Sequence, residues 1–551
     1  MGKDNGRFTE SGIEIKQDEI ILHAKRQRMM ELPGEYPFTR GPKTHSFPFM
    51  QNQFFGLGTS NDTRGRAEFL KSIGCSQEVG RHVDEIEGNL LMPLLVAFDL
   101  PTQRGLDPDE PKARGRVGGV GVSISNIWDI GAMMDGIPLD KTIVQWNAFD
   151  GMLPVVALYC AYCIDVRKKP LTDLLMHNIQ AYSLGWCHDH IGFPPRSAIK
   201  LEVDFIDYGV KNFRPDTFVN FADGYDQAEA GANAIQEVAF MLARYIHQME
   251  ECIKVGVNPD DMACRTFGHY HLSMDFFETI AKIRAIRRMW AKVNAERFGC
   301  KNQESLKHKM TITETAGKDL YANEPLNNIV RLTVMTLAGV LSGVEGIFTA
   351  AYDEPLGIPT ETSAKMSVRT QQILAVETGV MNVADPLGGS HYIEWLTDKM
   401  EEEVNKVLVK IEKNGGFLNC WESGWLRAEI ANSANQRQSK IDIGEKVVIG
   451  VNKFRSADRQ GIPSFRVPEE AEIKAAERVK EYRAQRDNQK TQDALANLRS
   501  VAYNIENDWP KSSGTFFPAL IEAARAHATL GEMHRVMRDV FGYSHYIGQG
   551  F

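Results

Sequence analysis

Three groups of side chains in this sequence have the types and spacing that chemistry requires. The first is Asp353-Glu354, adjacent carboxylates in a loop that also holds Pro355, Gly357 and Pro359. The apolar run IFTAA precedes them, and a helix-like segment from about 362 to 378 follows. Strand, acidic loop and helix make one β/α unit, and in β/α barrels the loop after the strand lies on the functional face. Glu354 is therefore either a ligand-facing carboxylate or one that caps the next helix. The second group is two His-x-His pairs, His188–His190 in CHDHIG and His269–His271 in GHYH. Residues i and i+2 of a strand point to one side, so such a pair could grip one metal ion, as in metal-dependent hydrolases on β/α barrels. Against that, His271 falls where a helix is expected to begin. The third is Cys160–Cys163 in VVALYCAYCIDV. One CxxC on an apolar helix reads as core packing, not as a redox pair.

These residues need elements to hold them. Runs of strand length and apolar character occur at 94–98, 119–124, 142–147, 184–191, 217–222, 263–267, 309–313 and 346–351. Helical patterns separate most of them. Segments 226–255 and 272–296 carry apolar residues at three- and four-residue spacing, and 325–341 opens on a proline, which a first helical turn tolerates. Eight strands alternating with helices predict a (β/α)8 TIM barrel. Residues 1–33 are charged and too short for a domain, so they read as an N-terminal arm on a barrel spanning 34–454. Pro, Gly and Thr dominate 34–48, which reads as loop. From 455 the character changes: 468–503 is highly charged and helix-favouring, and 516–541 reads as two more helices. Residues 455–551 thus form a helical C-terminal extension.

Bulk composition narrows the class. Hydrophobic residues at 43% and charged residues at 25% of 551 are ordinary globular values. A net charge of −9 argues against a nucleic-acid-binding surface. No apolar run reaches the length of a membrane span, and the polar N-terminus lacks a secretory apolar core. The eight cysteines are scattered, which suits a reducing cytoplasm.

The order DEPLGIPTETSAKMSVRTQQIL then ETGVMNVADPLGGSHYIEWLT carries a resemblance. So do EYPFTRGP (35–42), VAFDLPTQRG (96–105), GIPLDK (136–141), AKIRAIRRMWAKV (281–293) and IGVNKF (449–454). Together they resemble the large, substrate-binding subunit of adenosylcobalamin-dependent acyl-CoA mutases, the family of methylmalonyl-CoA, isobutyryl-CoA and 2-hydroxyisobutyryl-CoA mutases. The likeness covers roughly three quarters of the chain, from about Tyr36 to Phe454. It implies a barrel with acyl-CoA threaded along its axis and a radical carbon-skeleton rearrangement for which the cofactor supplies the difficult chemistry. It implies a separate small cobalamin-binding subunit in a heterotetramer or other heteromer, because no Asp-x-His-x-x-Gly cobalamin signature occurs here.

Site residues follow from the resemblance one by one. Phe98 in VAFDLP stands for an aromatic against the cobalamin, and Glu229 in GYDQAEAG, Gly317 in ETAG, and Glu354 and Gly357 in DEPLG stand at cofactor-contacting positions. Tyr225 retains the tyrosine beside the reacting centre, and Arg265 in CRTF matches an arginine that helps hold the coenzyme A tail. The departures bear on substrate. His188 replaces the arginine that grips the methylmalonyl carboxylate, and a neutral imidazole cannot supply that bidentate clamp. Phe54, or Phe55 if the gap moves by one, replaces a tyrosine wedge. Both changes argue against methylmalonyl-CoA and for a branched or bulky acyl group. Asp226 stands where the family usually places a histidine on the thioester carbonyl, so it must be protonated, turned away or serving another group. Lys318 stands where an aromatic is common, and 43–52 is short and lacks the family's basic residues for coenzyme A phosphates. The alternatives are a non-catalytic paralogue kept as a scaffold and the metal-dependent hydrolase.

Overall fold

The computed structural model describes residues 7–15, 19, 31–43, 50–52, 56–75, 92–139, 142–177, 191–314, 317–456, 467 and 469–545. Parallel strands alternate with helices along it. In chain order the strands are β1 Met50–Asn52, β2 Met92–Ala97, β3 Thr142–Asn147 and β4 Met176–His177, then β5 Asn220–Asp223, β6 Thr266–Leu272, β7 Lys309–Glu314 and β8 Gly346–Phe348. The helices that follow them are α1 Ser60–Ser72, α2 Ile127–Met134, α3 Met152–Asp165 and α4 Pro195–Asn212, then α5 Ala234–Lys254, α6 Phe276–Lys292, α7 Asn327–Leu341 and α8 Glu361–Val376.

The strands form two parallel sheets, β1-β8-β7-β6-β5 and β2-β3-β4. The last strand pairs with the first, Gly346 opposite Met50 and Phe348 opposite Asn52. Between the sheets, the Phe218 amide donates to the Met176 carbonyl at 3.1 Å and the Thr217 hydroxyl to the Leu174 carbonyl at 2.8 Å. The result is an α/β fold of TIM-barrel-like construction. Alternation decides which side chains meet the helices. Leu94, Val96, Val144 and Trp146 are buried in the helix-facing core, and the residues between them face the other way. Helix α3 is apolar almost all round and is wedged between the sheet and a C-terminal helix. Cys160 and Cys163 lie within it, fully buried, and burial pushes the Cys163 thiol up to about 12. That is core packing, with no reactive thiolate.

Beyond α8 the described residues form seven more α-helices: α9 His391–Lys413, α10 Gly416–Glu422, α11 Trp425–Asp442, α12 Glu469–Gln485, α13 Asn488–Asn507, α14 Phe516–Arg525 and α15 Leu530–Phe541. Asp204 of α4 caps α14, accepting from the amides of Thr515, Phe516 and Phe517 at 2.9–3.1 Å. Arg284 of α6 binds both carboxylate oxygens of Glu394 on α9, at 2.7 and 2.8 Å, and also Asp385. Near the N-terminus, Arg7–Phe8 pairs antiparallel with Glu14–Ile15. The turn between them carries Glu10, which binds Arg437 at 2.9 Å and Lys446 at 2.7 Å.

Several sequence expectations are corrected. Residues 119–124 are loop, with only Val122 bridging Phe98. A Cβ at Gly121 would collide with the backbone of Ala97 and Phe98, so this segment crosses the end of β2 at a distance only glycine permits. Residues 184–190 lie outside the described residues, and Ile191–Gly192 pairs antiparallel with Ser544–His545. The run expected at 263–267 is displaced by the helix Pro259–Cys264, so β6 starts at Thr266 and runs on to Leu272. His271 therefore sits in a strand and does not open a helix. The helix expected over 226–255 breaks at Gly231, φ +112°, into Tyr225–Glu229 and α5, which Asn233 caps with Gln236 in a capping box. β1 and β4 were not anticipated at all.

Candidate functional site

The carboxyl ends of β5, β7 and β8 bring together Tyr225, Asp226, Glu229, Glu314 and Glu354. β5 delivers Tyr225 directly onto the short helix Tyr225–Glu229. The phenol donates to the Glu314 carbonyl at 3.4 Å, and its ring stacks on His269 of β6, centroids 4.4 Å apart. One turn on, Glu229 accepts from the Gly317 amide at 2.8 Å through Oε1, while its buried Oε2 has no hydrogen-bond partner. Glu354 opens the 3-10 turn Glu354–Leu356 after β8, and its Oε2 is likewise buried without a partner. Gly357 closes that turn at φ 146°, ψ −161°, backbone that only glycine adopts readily. Glu314, the last residue of β7, accepts from the Thr336 hydroxyl at 2.8 Å and the Ala350 amide at 3.1 Å.

The electrostatics follow from that crowding. Burial, then Asp353 and Glu229, raise the Glu354 carboxyl to about 8. Burial, with Glu354 adding, raises Glu314 to about 8, and burial with Asp226 and Asp319 raises Glu229 to about 7. Tyr225 is driven far up by burial and by the same carboxylates. Near neutral pH the group thus holds protons, so it offers hydrogen-bond donors as well as acceptors. Two cations oppose it. Arg66 of α1 lowers Glu354 and donates to the Pro359 carbonyl at 3.3 Å. Lys318 lowers Glu229 and reaches the Ala232 carbonyl at 3.2 Å.

Asp226 is buried and serves Asp223: its amide donates to Asp223 Oδ2 at 3.3 Å, and the two side chains hydrogen-bond to each other. Burial raises the Asp223 carboxyl to about 7, so it is partly protonated near neutral pH. His269 Nε2 meets the Thr313 hydroxyl at 2.8 Å, and burial lowers this imidazole to about 4, leaving it neutral. His271 turns instead to Asp319, with Nε2 3.0 Å from Oδ2. The two histidines thus take separate partners. Among the described residues no group of three or more His, Cys, Asp or Glu side chains is arranged to hold a metal ion.

Other expected residues lie elsewhere. Arg265 sits at the amino end of β6, opposite the cluster, and its three guanidinium nitrogens donate to the carbonyls of Thr217, Val210 and Arg214, each at 2.9 Å. Phe98 is 0% exposed and stacks on Trp146, centroids 6.0 Å apart, so its ring is turned into the helix-facing core. His188 and Phe54 fall outside the described residues. Sequence reasoning missed Asp223, Glu314, Arg66 and the contact between His269 and Tyr225. A polar residue at the carboxyl end of a strand was the available signal for Asp223 and Glu314. For Arg66, on a helix, there was none.

Comparison with known proteins agrees with this architecture. The methylmalonyl-CoA mutase family model matches residues 8–543. The chain is 34% identical over 522 residues to the 2-hydroxyisobutanoyl-CoA mutase large subunit of Aquincola tertiaricarbonis, covering 93% of this chain and 87% of that protein. It is 33% identical over 544 residues to the probable mitochondrial methylmalonyl-CoA mutase of Caenorhabditis elegans, covering 97% and 69%. Against the human mitochondrial methylmalonyl-CoA mutase the identity is 32% over 543 residues, covering 97% and 68%. With parallel strands delivering an acidic, proton-holding cluster to one end, and with matches running through nearly its whole length, this chain belongs to the methylmalonyl-CoA mutase family and carries an acyl-CoA mutase-type catalytic domain.

Proposed function

We propose that the chain is the substrate-binding large subunit of an adenosylcobalamin-dependent mutase that rearranges a branched or bulky acyl-CoA, other than methylmalonyl-CoA, by a 1,2-shift of the thioester-bearing carbon. The observation that carries this reading is the meeting of Tyr225, Glu229, Gly317 and Glu354 at one end of the parallel strands. In this reading residues 34–454 close into a (β/α)8 barrel, with 1–33 as an arm and 455–551 as a helical extension. The β1–β8 pairing and the Phe218–Met176 hydrogen bond support that closure.

The residues present fit the cofactor. Glu229 Oε2 and Glu354 Oε2 are buried acceptors without partners, suited to the hydroxyls of an adenosyl ribose, beside a Gly317 whose missing Cβ makes room for Glu229. Gly357 would let backbone approach the same group, and Phe98 would back the site from the core. When bound, the cofactor supplies homolytic radical chemistry at its cobalt–carbon bond. The chain's part is to position and to shield. His269 and the Glu314 carbonyl fix the Tyr225 ring, and the surrounding strands and helices exclude water from the reacting carbons.

Charge argues the substrate class. A free acyl carboxylate would be buried among carboxyl groups whose own ionisation it would oppose, and the cations beside Glu354 and Glu229, Arg66 and Lys318, each already donate to a main-chain carbonyl. His188 and Phe54 are proposed to complete the acyl pocket. Arg265, at the amino end of β6, is proposed to meet the coenzyme A tail of a substrate threaded along the axis. A separate small cobalamin-binding subunit is the proposed partner, in a cytoplasmic heteromer. The high coverage of a relative named as a large subunit supports it. Among the described residues no helix is long and apolar enough to cross a membrane.

The test is electron paramagnetic resonance of the chain with its small subunit and adenosylcobalamin, adding isobutyryl-, 2-hydroxyisobutyryl-, methylmalonyl- and aromatic-substituted acyl-CoA one at a time. A coupled cobalt(II)–radical signal is expected with a branched or bulky acyl group and not with methylmalonyl-CoA. Silence across the panel, in a complex shown to bind the cofactor, would overturn the mutase reading.

A further inference from the structure

Three polar side chains from neighbouring strands stand at one level of the sheet. Asp223 of β5 is opposite His269 of β6, and His269 is opposite Thr311 of β7. Their chain neighbours Ala222, Tyr270, Met310 and Ile312 are packed into the helix-facing core. The two-residue alternation therefore puts the trio on the other side. Two residues back on β5 and β6, Phe221 and Phe267 form a separate apolar cluster with Phe218. Barrel interiors are ordinarily filled by branched aliphatic side chains at such levels. Here that level is polar and incompletely hydrogen-bonded. Asp223 Oδ1 and Thr311 Oγ1 are both buried and neither makes a hydrogen bond. The nearest ring nitrogen, His269 Nδ1, lies 3.5 Å from Oδ1, beyond a good hydrogen bond.

A buried oxygen left in that state is retained where something completes it. We propose that Asp223, His269 and Thr311 form a polar pocket that binds a hydroxyl group on the acyl portion of the substrate. The proposal rests on the acyl-CoA reading above and narrows it to hydroxyacyl-CoA. A hydroxyl donates to one oxygen and accepts from another donor, which matches a carboxyl beside a threonine hydroxyl and an imidazole. A second carboxylate does not match, because the Asp226 carboxyl already lies beside Asp223 and His269. His269 is held in place for this role by Thr313 at Nε2 and by the Tyr225 ring, and Phe221 and Phe267 give the carbon chain an apolar wall.

Calorimetric titration of the full chain tests it with two pairs of ligands that exchange hydroxyl for methyl. The pairs are 2-hydroxyisobutyryl-CoA with pivaloyl-CoA, and 3-hydroxybutyryl-CoA with 3-methylbutyryl-CoA. In one pair at least, the hydroxyl member should bind about tenfold or more tightly, as sites built around a hydrogen bond discriminate. Thr311→Val should erase most of that preference, and Thr311→Ser, which keeps the hydroxyl, should restore it. His269→Phe should weaken it while the melting temperature shows the chain still folded. Equal affinity within both pairs would overturn the proposal and leave the mutase reading standing, since acyl-CoA has then bound. A preference that Thr311→Val and Asp223→Asn both leave intact would overturn the assignment to these residues. Failure of all four ligands and of coenzyme A itself to bind would overturn the acyl-CoA reading, and this proposal with it.

Discussion

On the side facing Glu229, Gly317 has room for a hydrogen and nothing larger: a Cβ there would lie 2.5 Å from Glu229 Oε1. Gly317→Ala should push the carboxylate away and break the 2.8 Å bond that fixes it. We expect turnover to fall about tenfold, the equivalent of about 1.4 kcal/mol, with an unchanged far-ultraviolet circular dichroism spectrum. Glu354→Ala removes the other carboxyl with an unpartnered oxygen. It should impair turnover at least tenfold, about 1.4 kcal/mol in the barrier, and leave assembly with the small subunit intact on gel filtration. Unchanged turnover would remove Glu354 from the site. At this scale the sequence was informative wherever a motif fixed the backbone, as in DEPLG with its strained Gly357. At Phe98 it gave the residue type but not the face of the strand, which turns the ring against Trp146. It was silent on Asp223 with Asp226, since the contact between the two exists only once β5 has turned into its short helix.

The elements are joined by buried charges as much as by apolar faces. Arg284 of α6 is 2% exposed and grips Glu394 of α9 through two bonds, with Asp385 as a third partner. Arg284→Met would leave Glu394 buried without its counter-ion, while Asp385 keeps Arg40 at 2.6 Å. That should cost about 3–5 kcal/mol, read as a shift in the urea midpoint. The elements themselves were legible where one physical rule governed them. β3 lies at 142–147 as its apolar run indicates, and α14 and α15 take the places foreseen in 516–541. The rule failed where two competed. Apolar composition at 119–124 suggested a strand, but the glycines there serve a close crossing of β2. β1 and β4, at three and two residues, are too short to carry a periodicity.

Across the whole molecule, stability should depend on pH with a definite sign. Glu229, Glu314, Glu354 and Asp223 are all raised, to about 7 or 8, so the folded chain holds more protons than the unfolded one between their ordinary range and those values. Their contribution is full at low pH and is lost as pH rises, so the melting temperature should fall between pH 6 and 9, by about 3 °C or more. Glu314→Gln should flatten that slope in a differential scanning fluorimetry series. Glu10 acts in the opposite sense. Burial would raise it, but Lys318, Lys446 and Arg437 outweigh burial and hold it well below the carboxylate range, so its contribution is lost on acidification. The pairing of β8 with β1 has a temporal consequence. Gly346 and Met50 stand nearly 300 residues apart in the chain, so a polypeptide emerging from the ribosome leaves the first strand's edge uncovered until most of the molecule has been translated. Joining so distant a seam is slow and entropically opposed. During that interval the exposed edges of β1 and β7 are templates for pairing with other nascent chains. Yield in a heterologous host is then governed by elongation rate and chaperone supply, and slowing translation at low temperature should help only if it also shields that first edge.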